Sequence, residues 1–154
     1  MSSIPHSKPK IDGLHHLKFA VSNLDESMSW WESAFGAVRQ HQLDHVTKDG
    51  RLVAYVFMVP GIGIPIQLRV DPELAASTAG LDAIALAVPT TEELEAWAAH
   101  FDRVNVNHSR VFRSFVGWFM TVRTPDGLSI RLHTRQTHEW DPSNVDFDPA
   151  WMRP

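Results

Sequence analysis

The chain has 154 residues and a formal charge of −4, with 44% hydrophobic and 21% charged residues. That is one soluble domain's length, enough to bury a sizeable core. It contains no cysteine, which excludes disulfides, thiolate metal sites and cysteine nucleophiles; its 14 basic residues are scattered, which argues against a nucleic-acid partner.

Residues 1–10 read as a polar tail with two prolines and no apolar signal core. No window approaches the ~18 consecutive apolar residues of a membrane span. A cytoplasmic protein without membrane contact is expected.

The first element begins an internal repeat. Gly13-Leu14-His15-His16-Leu17-Lys18-Phe19-Ala20-Val21 recurs in pattern as Gly80-Leu81-Asp82-Ala83-Ile84-Ala85-Leu86-Ala87-Val88, with Gly80 lying 67 residues after Gly13. The match continues through Glu26 with Glu93 and Trp30 with Trp97. Leu24, Met28, Trp31 and Phe35 share one helical face, with Ser22 and Asp25 as the expected capping pair and Gly36 as the stop. Strands are predicted at 38–45, 52–59 and 65–70, with a hairpin turn at Lys48-Asp49-Gly50. Residues 71–79 read as a linker.

The second half repeats the order. Leu94, Trp97, Ala98 and Phe101 form an apolar stripe, and Thr90 with Glu93 supplies the start signal. Strands are predicted at 103–107, 116–123 and 128–134, the last preceded by the turn Pro125-Asp126-Gly127. The fold expected is α+β: two βαβββ modules, 11–70 and 80–135, forming a cupped mixed sheet. Residues 136–154 form a polar tail that Trp140 and Trp151 are expected to anchor.

The opening Gly-Leu-His-His-Leu-Lys-Phe-Ala-Val-Ser, the helix end Trp-Trp-Glu-Ser-Ala-Phe-Gly and the closing Thr-Pro-Asp-Gly-Leu-Ser-Ile-Arg-Leu-His resemble the vicinal oxygen chelate superfamily. That group includes glyoxalases, bleomycin-resistance proteins and extradiol dioxygenases. The resemblance implies a cup lined by one face of each module's sheet. By strand alternation that face carries Leu14, His16, Lys18 and Ala20; Pro65, Gln67 and Arg69; Leu81, Ala83, Ala85 and Ala87; and Ser129, Arg131 and His133.

The resemblance also places metal ligands at four positions, which here are His16, Gln67, Ala83 and Arg131. Ala83 has no donor, and Arg131 puts a permanent cation where relatives place a carboxylate. No metal or other cofactor is expected; a divalent ion at His16 is the exception left open. The expected catalytic group is His16, Arg131 and His133, with Lys18, Gln67, Arg69 and Trp118 binding ligand. Three functions remain open. The first is a metal-independent lyase- or isomerase-like enzyme acting on a small anionic or aromatic, oxygen-rich molecule, with Arg131 as electrophile and His16 as base. The second is a resistance-type protein that sequesters such a ligand. The third is a metal-dependent lyase, isomerase or dioxygenase with rearranged ligands. The chain is expected to form a homodimer.

Overall fold

The computed structural model describes residues 8–152. Most of the N-terminal tail and the last two residues lie outside that range. Module one runs β1 (Leu17–Val21), α1 (Leu24–Phe35), β2 (Val38–Arg39), β3 (His45–Val46), β4 (Leu52–Met58) and β5 (Ile66–Val70). Its sheet has the order β1-β5-β4-β2, with β3 also on β4. A connecting helix, α2 (Pro72–Ser77), leads to β6 (Asp82–Val88), α3 (Thr91–Arg103), β7 (Phe112–Arg113), β8 (Trp118–Arg123) and β9 (Ser129–Thr134). The second sheet has the matching order β6-β9-β8-β7. In each sheet the first strand runs parallel to the last, and the others are antiparallel.

Alternation sorts each strand into a core face and a cup face. Phe57, Ile66 and Leu68 of the first sheet are fully buried beneath α1, as are Met120, Val122 and Ile130 of the second sheet beneath α3. The two helices also meet each other. Phe35 packs on Trp97 at 5.6 Å and on Phe101 at 5.7 Å, and His100 Nε2 donates to the Ala34 carbonyl at 3.1 Å. The two modules thus share one core. Each fully buried Leu, Ile or Phe in it contributes about 1.5–3 kcal/mol of transfer free energy.

Several local expectations are corrected. Helix α1 is capped by Asn23, whose Oδ1 accepts from Glu26 N–H at 2.9 Å; Ser22 instead donates its backbone N–H to Asp126. The predicted strand 38–45 is broken by a 3-10 turn at His41–Leu43, which Arg39 and Asp44 clamp through two hydrogen bonds. The segment read as a linker contains α2, started by Asp71 and by proline in the first turn. The predicted strand 103–107 is the end of α3 followed by a turn with Asn105 at φ 57, and the second strand of that module is β7. Strand β1 begins only at Leu17, which leaves His16 ahead of it.

The C-terminal tail folds back along the second sheet. Backbone N–H groups of His138, Asp141 and Asp146 donate to carbonyls of Val116, Phe115 and Arg113. Trp140 stacks on Phe115 at 5.1 Å yet remains 67% exposed, whereas Trp151 is partly buried under the Arg123 guanidinium at 4.8 Å.

Candidate functional site

One extra residue in β6 organises the site. Asp82 pairs with Ser129 and Ile84 with Ile130, so Ala83 is bulged out; Ala85 then faces Arg131 and Ala87 faces His133. The bulge resets the alternation. Asp82 therefore sits on the cup face with Ser129 and Arg131, rather than on the core face that simple alternation assigns it. Its Oδ2 forms an ion pair with a terminal nitrogen of the Arg131 guanidinium at 2.7 Å.

Arg131 is held on two sides. Asp82 takes one terminal nitrogen, and the guanidinium lies over the Phe119 ring at 4.4 Å. Directly across on β8 is Thr121. Arg131 Nε and Thr121 Oγ1 are both buried, and neither has a hydrogen-bond partner among the described residues. Such groups are costly to bury unsatisfied. Arg131 and Asp82 open into a cleft of about 830 Å³, which Arg123, Ser129, Trp151 and Met152 also line. Among the described residues, two guanidinium groups there face one carboxylate, so the cleft favours anions.

His133 lies beyond Phe119, stacked parallel to it at 6.1 Å. Its Nδ1 is 3.0 Å from the Thr134 carbonyl and its Nε2 is 3.0 Å from Ser114 Oγ. A carbonyl can only accept, so Nδ1 carries a proton. In the neutral ring Nε2 then accepts from the Ser114 hydroxyl; in the charged ring it donates to Ser114, whose own proton turns to the Gly117 carbonyl at 3.1 Å. Both protonation states keep every polar atom bonded.

The remaining expected residues are elsewhere. His16 is exposed, with Nδ1 2.8 Å from Nδ1 of His15. Gln67 is buried on the first sheet's cup face, where its amide donates to His45 Nδ1 at 3.0 Å. Lys18 and Arg69 are exposed on that same face. None of these four lines the Arg131 cleft. Trp118 is a correction: it packs against the core, and Phe119 is the aromatic on the cup face. The structure thus places Arg131 and His133 against Phe119, with only Arg131 lining the cleft; it leaves Lys18, Gln67 and Arg69 on the first sheet and His16 just ahead of that sheet. Asp82, Thr121, Arg123 and Trp151 were not singled out as site residues from the sequence. The run Phe119, Thr121, Arg123 is readable from alternation once Met120 and Val122 are assigned to the core.

Among the described residues, no group of three or more His, Cys, Asp or Glu side chains is arranged to hold a metal ion. None of their helices is long and apolar enough to cross a membrane.

Residues 13–132 match the family model for the glyoxalase/bleomycin resistance protein/dioxygenase superfamily. The chain belongs to this superfamily. Solved structures of the same fold include a glyoxylase/bleomycin resistance protein/dioxygenase domain from Frankia sp. EAN1pec, 17% identical, covering 81% of this chain and 98% of that one with a TM-score of 0.65. A mutant of the fosfomycin resistance protein FosX from Listeria monocytogenes, complexed with Mn(II) and 1S,2S-dihydroxypropylphosphonic acid, is 20% identical, covering 80% and 93% at a TM-score of 0.64. FosX from Mesorhizobium loti is 16% identical, covering 80% and 92% at 0.56. At these identities the likeness is one of fold. The superfamily match stops at residue 132, so the tail that completes the Arg131 cleft lies beyond it.

Proposed function

We propose that this superfamily member holds a small anionic, oxygen-rich molecule in the Arg131 cleft, without a conventional metal centre. The observation that carries the reading is Arg131 itself: fixed by Asp82 and Phe119, and open to the cleft with 28% of its side chain exposed. A carboxylate or phosphate oxygen in the cleft would pair with the exposed part of the guanidinium through charge-assisted hydrogen bonds.

The four positions that the fold's metal-dependent relatives use do not fit a divalent cation. Ala83 offers no donor and lies in a bulge. Arg131 has no lone pair and already holds a carboxylate. Gln67 is committed to His45, and His16 lies outside the cleft.

Among the described residues, turnover has no histidine base in the cleft to support it: His133 is held by Thr134 and Ser114, stacks on Phe119 and does not line the Arg131 cleft. A homodimer is also proposed. Strands β1 and β6 each end their sheet with one edge unpaired among the described residues, and a second copy offers two matching edges.

The test is calorimetric titration of small carboxylates and phosphates, with recovery of the ligand for mass analysis. Arg131→Ala should weaken binding by roughly 1.5–3 kcal/mol. Unchanged affinity removes Arg131 from the site. Ligand recovered intact supports holding, and ligand recovered chemically altered supports turnover.

A further inference from the structure

We propose that the C-terminal tail is the specificity wall of the Arg131 cleft, so that the ligand is a flat aryl anion whose ring lies against Trp151 and Met152. This rests on the reading of Arg131 as the anion-binding group.

Trp151 and Met152 line the same cleft as Arg123 and Arg131, together with Leu81 and Pro149. The cleft therefore has a cationic end on β8 and β9 and an apolar side supplied by the tail. Its volume of about 830 Å³ exceeds what a bare carboxylate or phosphate needs and suits a ligand with a substantial apolar body. An indole beside a thioether is a surface on which a flat ring packs well.

The wall is built rather than loosely draped. Backbone N–H groups of Trp151 and Met152 donate to the Asp148 carbonyl at 3.0 and 2.9 Å, and Ala150 N–H donates to Asp148 Oδ1 at 2.9 Å. Arg123 binds the Ala150 carbonyl and lies over the indole at 4.8 Å. These contacts orient Trp151 before any ligand arrives, which lowers the ordering cost of binding. Arg123 also faces the cleft, so it joins the wall to the anion-binding end. The superfamily match ends at residue 132, before the segment that forms this wall.

The experiment compares acetate with 1-naphthoate by calorimetry on the full chain. Wild type should bind 1-naphthoate at least about tenfold more tightly, because the ring removes additional apolar area from water. Trp151→Ala should weaken 1-naphthoate roughly two- to tenfold, the range expected for a lost aromatic contact, and leave acetate within about twofold. Trp151→Phe should restore most of the loss. Equal weakening of both probes would mean that the tail acts only structurally, and no change in either would remove Trp151 from the site; each result overturns the proposal. If Arg131→Ala weakens acetate but wild type shows no preference for the ring, the anion reading stands and the wall falls. If neither probe binds, or Arg131→Ala changes nothing, the anion reading falls and the wall with it.

Discussion

Asp82 and Arg131 meet at 2.7 Å because β6 carries one residue more than β9 can pair. Without the bulge at Ala83, Asp82 would face the core and Arg131 would stand in the cup without a counter-ion. The carboxylate occupies part of the surface that an incoming anion needs.

Asp82→Asn should therefore tighten anion binding. The pair is partly exposed, with side-chain exposures of 28% for Arg131 and 46% for Asp82, so its net contribution to stability is at most about 1 kcal/mol. Urea unfolding should show a small loss, while titration with acetate should show a gain in affinity. Weaker acetate binding in this variant would mean that Asp82 orients Arg131 for the ligand rather than competing with it.

Gly117 makes a separate prediction. It sits at the start of the β8 hairpin strand, where an added Cβ would lie 2.9 Å from Thr134 Oγ1, 3.0 Å from the Gln136 carbonyl and 3.0 Å from His133 Cε1. The carbonyl cannot move without shifting the tail. Gly117→Ala should cost about 1–3 kcal/mol, the usual range for overpacking. In a chain of this size each kcal/mol lowers Tm by roughly 2–4 °C. Thermal unfolding checks this, and an unchanged Tm would show that the tail and His133 have slack at this point.

Acid should loosen the tail. The Ser143 hydroxyl, and then Arg113, holds the Asp141 carboxyl below its ordinary value of 3.8. The Arg113 backbone N–H, and then Arg110, does the same for Asp146 against the opposing effect of burial. A carboxyl depressed in the folded protein stabilises the docked state above its unfolded-state value. That contribution fades as pH falls through the folded-state value. The tail should thus stay docked at neutral pH and open below about pH 4, the ordinary carboxylate range. Hydrogen exchange of residues 137–152 at a series of pH values, corrected for the intrinsic exchange rate, checks it; lost protection of this segment already at pH 6 would rule these carboxylates out as the latch.

Much of the architecture was legible in the sequence. The repeat from Gly13 to Gly80, the two apolar helix faces and the turn at Gly127 all reflect local periodicity, and the structure follows them. What was hidden depended on partners distant in sequence. Plain alternation puts Asp82 on the core face, because a bulge is set by the neighbouring strand and not by its own residues. Trp118 and Phe119 are adjacent aromatics, and only their register against His133 tells which one faces the cup. The strand predicted at 38–45 has suitable residues, but the Arg39–Asp44 clamp favours a turn. The tail carried the two tryptophans as its only signal, and nothing local showed that Trp151 would reach Arg123.

The aromatic seam of Phe35, Trp97 and Phe101 has a consequence for how the chain comes apart. Each half has its own sheet and helix, the parts a separately melting unit would need. Yet parting them would strip Phe35, a residue of the first half, of contacts supplied by the second, and would expose Trp97 and Phe101 in return. Neither half can then rest at an intermediate free energy while the other remains ordered. A duplicated sequence of this kind loses its independence at the seam, and the two copies share a single melting transition.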